Sequence, residues 1–538
     1  MVQATLSAPK SVNATKKEHK KTLVFGGLSS VHDDIFLSTF LSFGYKAEKM
    51  PTPNLADFQA GKEFGNYGQC NPTYFTSGNL VNYLKSLEKR GLTKEEIVDN
   101  YFFLGATSPC GPCRLGMYQE EYKLSTTNAG FANFKIKAIG FEDSVGGADK
   151  CDEDFNLNID LICCMILSIL IGDILVQVRY RIAPYEKNPG ETQEVLKKSL
   201  KYIKEVLESP KEIPADRSQW FSIFGGKAKQ TVSYLEKIYH FFQGAHMERL
   251  TDAFETIGKW FSEIQIDPTI VKPIVKISGE FWAKTTDGDG NFNMYRFLEE
   301  QGAEVYPDPI SVHLFFLLHE AKENNEKYGM SSDKKSFEIN MFNQFLQKVK
   351  QKKDGLLIAG IEKLLANVFD KLRSPFRNFV RDIPDFNKIF EYARPYYNTE
   401  LQGGEGCMEV GKNIYYHQKK LVHMVLSVKP FGCMPSTQSD AVQGAVQGAY
   451  GDILFLPIET SGEGEVSALS RVQMMLSEAK KKTKNELDKV LKDAGTTLDK
   501  VSSAIESKLG KKITAASLKN YDSNHVSQAA KWVSFSQQ

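Results

Sequence analysis

The first part of the chain alternates between short apolar runs and longer stretches with helical periodicity. An apolar run at residues 23–27 ends in glycines, and a helical pattern follows over residues 34–43. Strand-like runs recur at residues 101–105 and 134–139. Because strands that alternate with helices pair in parallel, this pattern predicts a doubly wound α/β unit over residues 22–150.

The same alternation returns after a long helical stretch. Residues 151–268 carry apolar positions mostly at helical spacing. A strand-like run at residues 273–278 opens a second α/β unit, residues 269–400, and another at 421–428 lies in a third unit, residues 401–480. We therefore predict an α/β protein of several Rossmann-like, doubly wound parallel-sheet units with a helical insertion.

The two ends of the chain lack this alternation. Residues 1–21 are polar and Lys-rich, and we expect them to form a disordered N-terminal tail. Residues 481–538 shift towards Lys, Ala, Ser and Thr, which predicts a Lys-rich helical C-terminal appendage.

The longest apolar run, residues 161–176, indicates a buried helix and not a membrane span. The run is shorter than the ~20 residues that a span needs, and Asp173 interrupts it. No apolar segment follows the basic N-terminal stretch, so a secretory signal is not predicted. We expect a cytoplasmic protein that does not enter a membrane.

Composition narrows the class of protein further. The 538 residues are enough for more than one core, and 41% hydrophobic with 25% charged residues is typical of globular proteins. A net charge of +1 gives no sign of nucleic-acid binding. In a reducing compartment the eight cysteines are expected to be free thiols or metal ligands and not disulfides.

Four cysteines stand in turn-rich settings that suit a shared inorganic centre. Cys110 and Cys113 form a Cys-Gly-Pro-Cys motif directly after the apolar run that ends at residue 105. Cys70 and Cys433 are each flanked by Gly and Pro. Ligand sites in open α/β sheets lie beyond the carboxyl ends of the strands, so these thiols could converge there. Four thiols are enough to hold an iron–sulfur cluster.

Three other interpretations of the cysteines remain open. Cys110 and Cys113 could form a thioredoxin-type dithiol. Four thiols could hold a structural zinc, although zinc sites usually pair two Cys-x-x-Cys motifs. Isolated cysteines are often small buried hydrophobic residues, which is how we interpret Cys163 and Cys164. Cys407 lies in a glycine-rich turn before a helix, where it could be a further ligand or line the site.

Three segments around these thiols resemble a known family. Residues 62–76, 110–118 and 429–435 read KEFGNYGQCNPTYFT, CGPCRLGMY and KPFGCMP. They closely resemble the 2-hydroxyacyl-CoA dehydratase/benzoyl-CoA reductase superfamily, above all the cluster-bearing part of its large activase-associated members and the double-cubane cluster proteins. Residues 181–185 and 279–294 are similar too.

The resemblance implies an oxygen-sensitive protein that carries a [4Fe-4S] cluster or a fused double-cubane cluster. Its ligands would be Cys70, Cys110, Cys113 and Cys433, with Cys407 as an additional candidate. Members of the family receive low-potential electrons from an ATP-hydrolysing activator. They use them for radical dehydration of an acyl-CoA or for reduction of small molecules. Relatives also suggest a homodimer.

The sequence departs from the resemblance in one respect and leaves the reaction open. It contains no phosphate-binding loop of the Walker type, so ATP chemistry is expected to come from a separate partner. Arg114, Glu280 and His32 are candidates for lining the cluster site, the last two as proton donors at strand ends. The alternatives to a reductase or dehydratase are a non-catalytic electron-transfer or cluster-carrying subunit and a thiol–disulfide oxidoreductase that uses Cys110 and Cys113.

Overall fold

A computed structural model describes most of the chain as an α/β protein with two parallel sheets. The described residues are 20–106, 113–139, 154–208, 236–328, 341–401, 403–510, 512–518 and 525–537. Nearly all of the predicted N-terminal tail lies outside these ranges, and so does Cys110. The predicted fold class is confirmed, because each sheet has four parallel strands and is flanked by helices.

The first sheet lies within the unit predicted over residues 22–150. Its strands are β1 (Thr22–Phe25), β2 (Lys46–Lys49), β3 (Tyr101–Ala106) and β4 (Lys135–Ile139), in the order β2-β1-β3-β4. All neighbours pair in parallel. Strands β2 and β3 lie on opposite sides of β1, so the chain reverses its direction across the sheet after β2. This reversal creates a topological switch point between β1 and β3.

Five helices cover the two faces of this sheet. They are α1 (Ser30–Ser42), α2 (Leu55–Phe64), α3 (Asn71–Lys89), α4 (Lys94–Asn100) and α5 (Tyr118–Asn128). The side chain of Ser29 caps α1, and capping boxes begin α2 at Asn54 and α4 at Thr93. Separate apolar clusters pack on the two faces of the sheet, as a doubly wound unit requires.

The predicted helical region contains α6 (Ile159–Ile182), α7 (Glu191–Glu208) and α8 (Ala245–Ser262). Of the described residues, only the stretch from Ile159 to Tyr185 is long and apolar enough to cross a membrane. Most of it is buried by the rest of the protein, including Cys163 and Cys164. Its length and composition are therefore also those of the core helix of a soluble protein.

The second sheet joins strands that we had assigned to two separate units. Its strands are β5 (Ile274–Gly279), β6 (Glu304–Tyr306), β7 (Met424–Pro430) and β8 (Phe455–Thr460), in the order β6-β5-β7-β8. Strands β5 and β7 pair in parallel from Val275–Met424 to Gly279–Val428. Residues 269–400 and 401–480 thus contribute to one α/β unit, since both central strands are fully buried and satisfy each other's backbone groups.

The remaining helices surround the second sheet and build a large helical core beside it. They are α9 (Phe281–Thr285), α10 (Met294–Glu300), α11 (Ile310–Tyr328), α12 (Met341–Arg373), α13 (Phe386–Ala393), α14 (Gly406–Gln418), α15 (Met434–Ala449), α16 (Glu465–Asp493), α17 (Leu498–Leu509) and α18 (Gln528–Gln537). The long excursion from β6 to β7 is helical wherever it has regular structure among the described residues.

The C-terminal region is helical as predicted, but it packs into the protein. Trp532 on α18 is fully buried. The backbone of Ile266 donates to Ile513 over 3.0 Å, and Ala515 donates to Ile264 over 2.8 Å. Glu486 accepts the backbone N–H groups of the chain just before α18. The Lys-rich face is solvated while the opposite face is core, which composition alone does not reveal.

The two α/β units contact each other through aromatic side chains and one polar loop. Phe58 and Phe75 of the first unit cluster with Trp282 of the second, with 5.6 Å between the rings of Phe75 and Trp282. The loop before α10 adds polar contacts, because Asp287 accepts from the Ser30 N–H at 2.7 Å and Asp289 accepts from Leu55 at 2.9 Å. This contact holds the carboxyl edges of the two sheets next to each other.

Candidate functional site

Three of the predicted thiols stand at the first residue of a helix. Cys70 is the N-cap of α3, Cys433 is the N-cap of α15, and Cys113 precedes a 3₁₀ turn at Arg114–Met117. None of the three side chains makes a capping hydrogen bond to its helix. The N–H groups at a helix start favour negative charge, so all three sulfurs are placed where a thiolate is stabilised.

The strands explain why these helix starts lie at one edge. Cys113 follows β3 at the switch point of the first sheet. Glu280 follows β5 and Cys433 follows β7, the two strands that flank the switch point of the second sheet. The backbone N–H of Glu280 donates to the carbonyl of Val428 over 3.1 Å, which ties the two strand ends together. Crevices beyond such points are the usual ligand sites of open α/β sheets.

A direct backbone contact joins the segments of Cys70 and Cys433. The N–H of Asn71 donates to the carbonyl of Phe431 over 3.1 Å. Gly432 adopts a φ of +80°, and a Cβ there would lie 3.4 Å from the Cα of Cys70. The two cysteines come from different units, and this turn brings their backbones into van der Waals contact. Only a residue without a side chain fits this turn without strain.

Cys70 has polar neighbours that sequence analysis did not identify. Its sulfur lies 3.1 Å from Thr73 Oγ1 and 3.2 Å from the Tyr118 hydroxyl. Burial raises the pKa of Tyr118 well above its usual value, and the nearby Cys70 and Glu280 raise it further. Tyr118 therefore remains a hydroxyl that can donate a hydrogen bond to the sulfur of Cys70.

Burial favours the protonated form of two of these thiols, Cys113 and Cys433, when no metal is bound. Burial raises the pKa of Cys113 to about 11, and the charges of Glu280 and Cys70 act in the same direction. Burial followed by Glu280 also raises the pKa of Cys433. A metal would displace these protons on binding, because only the thiolate is a ligand.

Glu280 is a carboxyl group whose charge raises the pKa of both Cys113 and Cys433. Its Oε2 caps α9 by accepting from the Ala283 N–H at 2.9 Å. Burial raises its pKa to about 7 against the opposing effect of backbone hydrogen bonds. Near neutral pH this carboxyl can therefore hold or release a proton beside Cys113 and Cys433.

The donor atoms present suit an iron–sulfur cluster in their chemistry. Sulfur donors and enclosure are features that such clusters need. No group of three His, Cys, Asp or Glu side chains among the described residues is close enough to hold a single metal ion. Cys110 lies outside those residues, so the full set of four candidate thiols is not described.

The other candidate residues fall into different places. Arg114 donates to the carbonyl of Gly68, so it links the turn after Cys113 to the loop before Cys70. The thiol of Cys407 belongs to the helical core, where burial raises its pKa to about 12 and Glu320 and Arg394 are its charged neighbours. No described contact joins Cys407 to the three thiols above.

His32 is also separate from the thiols. Its Nδ1 lies 2.7 Å from Ser29 Oγ, and its Nε2 lies 3.2 Å from Asp173 Oδ1. It is buried at the start of α1 against α6, where Gly172 leaves room for the imidazole. The sequence analysis placed His32 at a strand end, whereas the structure places it in the first turn of α1 with a site of its own.

A buried network of charges supports the helix that carries Glu280. Asp308 accepts from Lys276 at 2.7 Å, from Lys284 at 2.8 Å and from Lys412 at 2.7 Å, and all four side chains are fully buried. Burial alone would raise the pKa of Asp308, but the three ammonium groups hold it well below its usual value. Lys284 lies one turn after Glu280 on α9, so this network fixes the position of the capping carboxyl.

Glu405 extends the network towards the thiols. It contacts Lys284 Nζ at 2.5 Å and His313 Nδ1 at 2.6 Å. Burial would raise its pKa, but Lys284 and His313 lower it to about 2, so it is a permanent carboxylate. The charge of Glu405 also acts on Cys113. Glu409 forms a similar buried group with Lys429 and Ser436 near Cys433.

Sequence patterns gave only part of this site. Tyr118 closes one of the motif segments, and that position was the available signal for it. The buried lysines gave no usable signal, because Lys is almost always exposed unless it is paired. Their partner Asp308 follows the short strand β6, so only the three-dimensional structure shows that it meets three lysines.

Comparison with known proteins adds no identification. No protein-family model matches this chain, and no curated protein matches it. What the chain does must therefore be inferred from its residues, their geometry and the resemblance of its motifs.

Proposed function

We propose that this chain is an iron–sulfur protein whose cluster is held by Cys70, Cys110, Cys113 and Cys433. The observation that supports this most is the convergence of helix starts bearing Cys70, Cys113 and Cys433 at adjoining sheet edges. The bond from Asn71 to Phe431 joins two of these segments directly. Cysteines without a common function would not be expected to lie at helix starts on adjoining sheet edges.

The chain's own residues would do four things for such a group. Cys70 and Cys433 are buried, and the third thiol is largely enclosed, which keeps water and oxidants away. The N-terminal ends of α3 and α15 favour the negative charge of the thiolates through their helix dipoles. Tyr118 donates towards the Cys70 sulfur, and Glu280 holds a proton that it can release near neutral pH. The cluster itself would supply single electrons at low potential.

We propose low-potential one-electron reduction or radical dehydration of a substrate as the activity, with an acyl-CoA as the first candidate. The support is the resemblance of the three cysteine-bearing motifs to the dehydratase/reductase superfamily. The sequence has no Walker-type loop, so a separate ATP-hydrolysing activator would deliver the electrons. A cytoplasmic homodimer is part of the same proposal.

The raised pKa of Cys113 gives no support for this thiol as the nucleophile of a thiol–disulfide oxidoreductase. Such enzymes depend on a cysteine whose pKa lies below the usual value, so that the thiolate is present at neutral pH. Burial moves the pKa of Cys113 the other way, to about 11. A buried, protonated thiol is a poor nucleophile and a suitable ligand once a metal displaces its proton.

Iron and sulfide analysis after anaerobic reconstitution tests the proposal. We expect a brown protein with about four or more irons per chain, as a cubane or a fused pair requires. Replacing Cys70, Cys113 or Cys433 by Ser should each remove most of the iron. Cys163→Ala is the matched control, because Cys163 is a buried thiol in the apolar helix α6. Full iron content in the Cys70→Ser and Cys433→Ser variants would contradict the proposal.

Turnover separates an enzyme from an electron-carrying subunit. The reconstituted protein would be supplied with an ATP-dependent reductase and a panel of 2-hydroxyacyl-CoA thioesters. Product formation that disappears in Cys433→Ser supports the enzyme. Reduction of the cluster without any product would identify the carrier instead.

A further inference from the structure

A second candidate site lies in a cavity between the two units, apart from the thiols. The cavity has a volume of about 160 Å³. Its walls come from the segments that follow β1, β5 and β6, together with α6. It therefore lies beyond the carboxyl ends of strands from both sheets, where open α/β sheets bind ligands.

The charged groups in the cavity wall already have partners. Asp173 accepts from the backbone N–H groups of Ile310 at 2.8 Å and Ser311 at 2.6 Å. Asp287 accepts from Ser30 at 2.7 Å. The starts of α1 and α11 are thus neutralised by carboxylates, so they offer no free positive end to an anion.

The two cations in the wall are neutralised in the same way. Lys284 Nζ lies 2.8 Å from Asp308 Oδ2, and Arg179 lies 2.6 Å from Glu299. Asp33, beside the cavity wall, has its pKa raised to about 6 by burial, while the charge of Asp287 adds to the increase. A further negative charge here would be unfavourable.

The Gln177 amide nitrogen is a buried polar group of the wall that has no hydrogen-bond partner among the described residues. Gln177 is 4% exposed, lines the cavity, and its Nε2 donates to no atom among the described residues. Gln177 lies one turn after Asp173 on α6, so both side chains are on the same face of the helix. A buried amide donor without an acceptor is costly, and a bound acceptor would remove that cost.

We propose that this cavity binds a small uncharged molecule whose carbonyl oxygen accepts a hydrogen bond from Gln177 Nε2. The carboxylates of the wall select against an anion, and the free donor selects for an acceptor. The volume resembles that of an engineered cavity of ~150 Å³ that holds benzene, so the molecule is of about that size.

The same wall carries an imidazole that is held in a fixed orientation. Ser29, His32 and Asp173 form a continuous chain, with distances of 2.7 Å and 3.2 Å to the imidazole nitrogens. All three side chains line the cavity. A carbonyl compound bound to Gln177 would therefore lie in the same small space as an imidazole held in a fixed orientation.

Fluorine NMR with two matched probes tests this inference. Trifluoroacetamide is neutral and carries a carbonyl acceptor, whereas trifluoroacetate has a similar shape and a negative charge. We expect saturable line broadening of trifluoroacetamide with a Kd in the millimolar range, as the size of the probe allows, and none of trifluoroacetate. Equal binding of the two probes, or no saturable binding of trifluoroacetamide, would overturn the proposal.

A variant and a soaked crystal locate the site. Gln177→Met keeps the length of the side chain and removes the donor, so trifluoroacetamide should bind at least several-fold more weakly. Gln473→Leu, on the exposed face of α16, should bind it like the natural protein. If Gln177→Met does not fold, a crystal of the natural protein soaked with trifluoroacetamide decides. Its oxygen must lie within hydrogen-bond distance of Gln177 Nε2, and density elsewhere alone would end the proposal.

This inference does not depend on an iron–sulfur cluster. The two probes bind or fail to bind in protein without iron as well as in reconstituted protein. Loss of iron in the cysteine variants and loss of probe binding in Gln177→Met are therefore separate results.

Discussion

The backbone N–H of Asn71 donates to the carbonyl of Phe431 over 3.1 Å, and this bond connects residues 360 positions apart in the chain. Asn71 directly follows the candidate ligand Cys70, and Phe431 lies two residues before the candidate ligand Cys433. The geometry of the thiol site thus depends on a contact between the two α/β units, and substitutions at that contact should affect both units.

Gly432→Ala should destabilise the protein by roughly 1–2 kcal/mol, the cost of placing a side chain in the left-handed region. The φ of Gly432 is +80°, and the new Cβ would also press on Gln69 and Cys70 at 3.3–3.4 Å. Urea unfolding of the iron-free protein measures the effect. Gly444→Ala on α15 is the control, because nothing lies within 4 Å of its Cβ. It should be neutral or slightly stabilising, and equal effects of both changes would count against the strained turn.

Glu280→Gln should remove a pH dependence of stability between about pH 4.5 and pH 7. The pKa of Glu280 rises from 4.5 to about 7 on folding, mainly through burial. The folded protein therefore binds this proton more tightly than the unfolded chain does. The contribution of Glu280 to the free energy of unfolding is fully present below pH 4.5 and is lost as the pH rises through 7. We expect a loss of about 1–3 kcal/mol in the natural iron-free protein and a flatter profile in the variant.

Urea titrations at several pH values between 4 and 8 check this expectation. Glu459→Gln, at an exposed position of β8, should leave the profile of the natural protein unchanged. A Glu280→Gln profile parallel to that of the natural protein would show that another group is responsible.

Asp308→Asn should be among the most destabilising single substitutions in this chain. It leaves Lys276, Lys284 and Lys412 without the carboxylate that lies within 2.8 Å of each of them. Breaking a buried ion pair costs roughly 3–5 kcal/mol because the remaining charge stays buried. Thermal or urea unfolding measures it against Asp488→Asn, which alters an exposed carboxyl on α16. A loss as small as that of the control would mean that the lysines are neutral in the folded protein.

Alkylation of Cys113 in the iron-free protein should stay slow at neutral pH and accelerate beyond pH 10. Burial raises its pKa from 9 to about 11, which lowers the thiolate fraction about 100-fold at neutral pH. Mass spectrometry of the iodoacetamide-labelled peptide gives the rate as a function of pH. A short synthetic peptide with the same sequence around the cysteine is the control and should level off near its ordinary pKa. Levelling off below pH 8 in the protein would instead favour the oxidoreductase hypothesis.

The sequence was sufficient for the strands and for the fold class. Strands such as β1 and β3 are compact apolar runs before Gly or Pro, so they stand out from polar surroundings. Helices α2 and α4 were not predicted, because they are short and largely polar and depend on capping boxes at Asn54 and Thr93. Local pattern also could not show that β5 and β7 pair, since the partner of a strand is chosen by the whole fold.

The candidate site could be predicted only where a sequence motif contains its reactive side chains. Cys70, Cys113 and Cys433 were found from their glycine- and proline-rich surroundings, the last two also from their positions after strands, and each directly precedes a helix or 3₁₀ turn. Cys407 stands in a similar glycine-rich turn, but its side chain points into the helical core, which spacing cannot decide. The partnership of His32 with Asp173 joins residues 141 positions apart in the chain and has no local signal.

The pairing of β5 with β7 has a consequence for how the protein is made. The first sheet is complete once β4 has left the ribosome, whereas β5 waits for more than a hundred residues before its second neighbour, β7, is synthesised. Until then one edge of β5 has unpaired backbone groups, a state that favours chaperone binding or aggregation during translation. Any group that Cys70 and Cys433 hold together can be inserted only after this late step.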